Sequence, residues 1–217
     1  ADRAQTARSI VTVVFAKQKK TEDAERILAY YVKNEPQRLT ERARMEGELA
    51  KAYQVQKNFV RMAPHAEEAF KASKALLADA ASRARGLDEI LDNGVLVFEA
   101  HRDTENAEKA IRALDDLIAS AVTTQSPSLY YYAADAKITY LIDEGRKPQA
   151  LAFYQSAIEN AQVAFATAPL RADADRRLRA RDRHYRLLGE LAPELPMVDN
   201  WFPGTPKKIN ELKGKVI

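Results

Sequence analysis

Ala107-Glu108-Lys109-Ala110-Ile111 sets an alanine and a large apolar residue four positions apart, and the same pair recurs as Ala24/Leu28, Ala66/Phe70 and Ala150/Tyr154. Successive alanines stand 42, 41 and 43 residues apart. A spacing of four places both side chains on one face of a helix. Phe15, Phe98 and Leu141 each precede their alanine by nine residues, and Tyr53 precedes Ala66 by thirteen, so every unit reads as two helices. Such a hairpin cannot bury its apolar face alone, and a period near 42 predicts a stacked array of helical hairpins.

Helix punctuation supports this reading. Turns are expected at Lys19-Lys20-Thr21, Met62-Ala63-Pro64, His101-Arg102-Asp103-Thr104 and Gly145-Arg146-Lys147-Pro148. Thr21 and Thr104 are the expected N-caps, and Pro64 and Pro148 fit a first helical turn, where a missing N–H costs nothing. Pro36 and Pro127 separate units, and Pro169 closes the last. Helices are expected over 3–18, 21–34, 38–59, 65–85, 87–101, 104–122, 128–144, 148–168 and 172–189, making an all-α array of about nine helices.

The 217 residues are 46% hydrophobic and 30% charged, an ordinary globular composition. The absence of cysteine excludes disulfides, thiolate metal sites, a cysteine nucleophile and a Cys-x-x-Cys redox pair within this chain. A net charge of +3 is too small to imply a nucleic-acid partner. No run approaches the roughly 18 apolar residues of a membrane span. Ile10 to Ala16 is broken by Thr12 and leads into Lys17-Gln18-Lys19-Lys20 with no cleavage site, so an exported parent is expected to have lost its signal already.

The prolines Pro193, Pro196, Pro203 and Pro206 crowd into the last stretch, which predicts extended or turning chain from 192 to 206. The expected division is a helical domain over 1–189 and a linker with the start of another domain over 190–217.

Two resemblances are carried by particular residues. Val11, Phe15, Ala24, Leu28 and Pro36 stand at the spacings of the tetratricopeptide repeat, and Ala134, Leu141, Ala150, Tyr154 and Ala157 match it in part. The first region therefore resembles that family, whose period is about 34; a HEAT-like solenoid is the structural alternative. In the tail, Ala192-Pro193, Leu195, Trp201, Gly204 and Leu212-Lys213-Gly214-Lys215-Val216-Ile217 resemble the opening of a TlpA/ResA-like thioredoxin domain of the bacterial alkyl hydroperoxide reductase and thiol-disulfide oxidoreductase superfamily. In that family the strand continues into Trp-Cys-x-x-Cys. No cysteine stands here, so no catalytic residue is carried over. The resemblance implies a truncated chain from a bacterial, periplasmic oxidoreductase whose redox domain follows the helical one.

Candidate sites are few. Tyr130-Tyr131-Tyr132 opens the seventh expected helix, and its rings point about 100° apart, so they cannot all face the core; one or two could anchor a peptide in a groove. From Arg171 to Gly189 there are seven arginines against three aspartates. Arg177, Arg179 and Arg183 are the candidates for an anionic contact, set against a capping helix whose arginines pair with Asp173, Asp175 and Asp182. His65 and Glu68 form the one local ligand pair, with no third partner for a metal. Asp88-Glu89, Asp92 and Asp115-Asp116 read as solvated faces.

No catalytic, cofactor or metal residue is expected, and no cofactor. The expected function is a non-catalytic scaffold that binds a protein, a peptide or the parent's own thioredoxin-like domain through the groove lined by the first helix of each hairpin. A free-standing adaptor and an anionic-surface binder acting through 171–189 are the alternatives. No nucleic-acid partner and no membrane span are expected.

Overall fold

The computed structural model describes residues 7–11, 18 and 20–191. Among them all regular structure is helical: residues 7–11 are helical, and beyond them stand α1 Thr21–Asn34, α2 Leu39–Val55, α3 Phe59–Ala78, α4 Arg83–Arg102, α5 Ala107–Thr123, α6 Pro127–Asp143, α7 Lys147–Ala164, α8 Ala168–Arg179 and α9 Asp182–Leu187. From α1 to α8 each helix packs on the next, and α2 also packs on α4 and α6 on α8. The pairs α2/α3, α4/α5 and α6/α7 are thus stacked hairpins, with one core running the length of the stack. No helix among the described residues is long and apolar enough to cross a membrane. Phe15 and the tail from Ala192 lie outside the described residues.

One turn design is used four times. The backbone N–H of Asn58, Asn106, Ser126 and Arg146 donates to the carbonyl five residues earlier, at 2.8 to 2.9 Å. The residue before each has positive φ: Lys57 (56°), Glu105 (57°), Gln125 (53°) and Gly145 (72°). Each helix therefore ends in a Schellman turn whose last residue is already the N-cap of the next helix. Asn58, Asn106 and Ser126 complete the cap by accepting from the amides of Arg61, Lys109 and Leu129. Only Gly145 takes the left-handed conformation without a Cβ penalty. Lys57→Gly and Glu105→Gly are each expected to stabilise the fold by about 0.5–1 kcal/mol in urea unfolding. Destabilisation by either would contradict this turn geometry.

Several expected boundaries shift. The second hairpin turns at Gln56-Lys57-Asn58, not at Met62-Ala63-Pro64, and Pro64 sits inside α3. Its missing N–H leaves the carbonyl of Val60, an exposed residue, without its helical donor. The expected threonine caps shift too, since Lys20 stands at the N-cap position of α1 and Asn106 at that of α5. Thr21 is the first residue of α1, and Thr104 lies in the turn, donating to the Ala100 carbonyl at 2.8 Å. Pro169 opens α8 instead of closing a unit, and the expected helix over 172–189 is two helices broken at Ala180-Arg181. The α3–α4 link lies at Asp79–Ser82, where the Ser82 hydroxyl donates to the Leu76 carbonyl and to Asp79 Oδ2.

Small residues set the helix spacing. A Cβ on Gly94 of α4 would stand 2.5 Å from Leu117 Cδ2 of α5, and one on Gly86 would stand 2.8 Å from the backbone nitrogen of Leu77 at the end of α3. Gly47 of α2 makes room for Asn93, whose buried amide donates to Ser73 Oγ at 2.9 Å. Ser73 Oγ donates in turn to the Ala69 carbonyl, so this buried polar chain is satisfied.

Candidate functional site

The helices α2, α4 and α6 form one side of the stack, and a groove of about 520 Å³ opens between them. Its apolar wall comes from Leu91, Val95 and Leu96 of α4, Leu114 and Leu117 of α5, and Ala133 and Ala136 of α6. The volume falls in the range of sites that hold a ligand or a few side chains. Lys51 Nζ on the rim lies 3.3 Å from Glu48 and 3.6 Å from Asp92.

The three tyrosines go separate ways. Tyr130 is buried, donates to the Ala157 carbonyl at 2.9 Å and meets Phe165 edge-on. Burial pushes its hydroxyl up to about 12. Tyr131 is half-buried beside Tyr132, with ring centroids 5.3 Å apart. Tyr132 alone lines the groove, 51% exposed. Of the groove residues the sequence pointed to only Tyr132; Leu91 and Val95 are among those it missed. They lie four apart, off the α4 core stripe of Ile90, Gly94, Val97 and His101. A second apolar stripe on one helix was the available signal.

The arginine candidates are largely engaged. Arg177 Nε donates to Asp173 Oδ2 at 2.9 Å, Arg179 Nε to both oxygens of Asp175 at 2.9 Å, and Arg186 Nε to Asp182 Oδ2 at 2.9 Å. Arg176 also pairs with Asp173. The hydrogen bond from Arg177 is the main reason the Asp173 carboxyl lies below its ordinary range. Arg181 Nε reaches Asp135 of α6 at 3.1 Å, and Arg171 donates to the Phe165 and Ala166 carbonyls beyond the end of α7. Of the three candidates, Arg183 alone has no carboxylate within 4.0 Å among the described residues.

His65 does not join Glu68, which pairs with Arg42. It stacks on Tyr53 and bridges two other helices, with Nδ1 2.7 Å from Glu46 Oε2 of α2 and Nε2 3.2 Å from Glu25 Oε1 of α1. Glu25 also accepts from the Tyr53 hydroxyl at 2.6 Å and from Arg61 at 2.9 Å. Two carboxylates on the two ring nitrogens suit the doubly protonated imidazolium, since neutral histidine has one donor. Burial alone would lower the His65 pKa, but Glu46 and Glu25 outweigh it and raise it above its ordinary value. Burial likewise works against the charged form of Glu25, and the bonds from Tyr53 and His65 with the Arg61 charge hold its pKa down. No group of three or more metal-ligating side chains stands among the described residues.

The sign of the pH dependence follows. A raised histidine pKa contributes stability present below the unfolded value of about 6.5 and lost as pH rises through the folded value. The lowered Glu25 pKa contributes stability present above its unfolded value and lost as pH falls through the folded one. Urea unfolding from pH 6 to 9 is expected to show a decline that His65→Gln abolishes. Parallel curves for the two proteins would remove the imidazolium bridge.

The fold and groove define a class, a stacked helical-hairpin array with an open apolar face. Neither a protein-family model nor a curated protein nor a solved structure matches the chain.

Proposed function

We propose that this chain is a non-catalytic scaffold whose groove across α2, α4 and α6 holds a short apolar segment of a partner protein. The observation that carries the reading is the preformed apolar groove with the half-exposed Tyr132 on its wall. A site that exists before binding spares the ordering cost of forming one. Tyrosine is a common anchor at such sites because it offers a large rigid surface and a polar tip. Selection from a displayed peptide library tests it. Enriched peptides are expected to share a large apolar residue, and Tyr132→Ala is expected to weaken them at least tenfold while leaving thermal unfolding unchanged. Peptides indifferent to Tyr132, or none enriched, would remove the reading.

The tail supports a particular setting for this scaffold. Leu191 to Ile217 resembles the opening of a TlpA/ResA-like thioredoxin domain, and on that resemblance the scaffold would hold a periplasmic thiol-disulfide oxidoreductase near its substrate protein. In that domain a thiolate attacks a disulfide through a mixed-disulfide intermediate. The gene's reading frame is expected to continue past Ile217 into Cys-x-x-Cys. A stop codon directly after Ile217 would leave a free-standing adaptor. Binding of anionic surfaces through 171–189 finds little support, because four of its seven arginines, Arg176, Arg177, Arg179 and Arg186, are matched by carboxylates along the same helices.

A further inference from the structure

On the side of the stack away from the groove, α3 and α5 face each other across a cleft of about 220 Å³, with the end of α4 beneath. Their charged residues meet in rungs. At one end Glu67 Oε1 lies 3.9 Å from Lys109 Nζ and 2.7 Å from His101 Nε2. At the other, Lys74 Nζ lies 2.6 Å from Asp116 Oδ2. In both pairs the partners are 42 residues apart in the chain. The ladder thus joins corresponding helices of adjacent hairpins.

The middle of this ladder breaks the pattern. Between the two opposite-charge rungs stand Lys71 and Arg112, both cations, 73% and 70% exposed. Neither takes a carboxylate from the facing helix. Lys71 reaches Glu68 on its own helix at 3.4 Å, and Glu68 is held by Arg42. Arg112 lies 3.8 Å from Glu108, also on its own helix. Four cations line the cleft against two carboxylates, over an apolar floor of Phe70, Val97 and Ala113.

We propose that this cleft is a second binding site, for an acidic segment of a partner protein. An apolar side chain of that segment would rest on the floor, and an adjacent carboxylate would fill the middle rung between Lys71 and Arg112. The cleft is smaller than the roughly 300 Å³ at which small-molecule sites begin, and it suits one side chain. The apolar floor adds nothing for a bare anion, which favours an acidic side chain with an apolar neighbour. Charge complementarity of this kind sets orientation and encounter rate more than affinity, so binding is expected to be weak and salt-sensitive.

Fluorescence anisotropy with a labelled Glu-Asp-Phe-Asp-Glu peptide on the whole chain tests the proposal. Binding is expected at low ionic strength, at least tenfold weaker for Lys71→Glu/Arg112→Glu, retained by Lys71→Arg, and unchanged by Tyr132→Ala. The last result separates this site from the groove. Both substituted residues are exposed, so the double variant is expected to keep the wild-type melting temperature, which confirms that it is folded. The proposal is overturned if the double variant binds as the wild type does, if the amide analogue Gln-Asn-Phe-Asn-Gln binds equally well, or if inorganic phosphate competes as well as unlabelled peptide.

Discussion

Tyr185→Ala is expected to lower the unfolding free energy by about 4 kcal/mol, within the range found for removing a buried aromatic ring. Tyr185 is fully buried although it lies on α9, a helix of 6 residues that cannot be stable by itself. Its ring meets Tyr154 of α7 edge-on at 5.2 Å, and its hydroxyl donates to Asp135 Oδ1 of α6 at 2.6 Å. One side chain therefore fastens the end of the stack to two earlier helices. Burial, with the bond to Asp135, raises the hydroxyl pKa well above the ordinary tyrosine value, so it remains a donor. Tyr185→Phe keeps the ring and loses that donor, at an expected cost of about 1–2 kcal/mol. Asp135 keeps Arg181 as a partner in both variants. Urea unfolding measures the two losses. A cost below about 1 kcal/mol for the alanine variant would mean that α9 is not docked as described.

Gly94→Val is expected to cost about 3 kcal/mol, the upper part of the range for overpacking a filled core. The first added carbon alone would stand 2.5 to 2.8 Å from three atoms of Leu117, a fully buried side chain that would have to shift to admit it. Helix propensity offsets only a few tenths of this, because valine is a modest helix former. Leu117→Ala alone costs about 2–5 kcal/mol through the cavity it leaves. Combined, the two changes are expected to cost at least 1 kcal/mol less than the sum of the single losses, because the valine fills that cavity. Strict additivity would show that α4 and α5 do not approach each other at Gly94.

Much of the fold could be read in advance, but one register could not. Ala24, Ala66 and Ala150 are fully buried as the repeat requires, whereas Ala107 is half-buried at the first position of α5. Ala110 and Leu114 hold the places of Ala24/Leu28 and Ala150/Tyr154, since α1, α5 and α7 each carry the buried alanine at their fourth residue. Helix α3 departs from this, with Met62 fourth and Ala66 eighth. The near-constant alanine spacing hid hairpins of unequal length, as the left-handed turn residues Lys57, Glu105 and Gly145 show. Those turns were hard to foresee because lysine and glutamate carry no left-handed signature. In the candidate site, the aromatic run at 130–132 was visible, but which ring reaches the groove depends on helix phase. The His65 cluster joins three helices through residues 19 and 40 positions apart, beyond any local pattern.

The most direct test of the groove is a nuclear magnetic resonance titration of the whole chain with a peptide taken from the library selection. Amide shifts are expected to concentrate at Lys51, Leu91, Val95, Tyr132 and Ala136, on three helices far apart in sequence. Shifts centred instead on Arg177, Arg179 and Arg183, or scattered without a focus, would contradict a binding face formed by α2, α4 and α6.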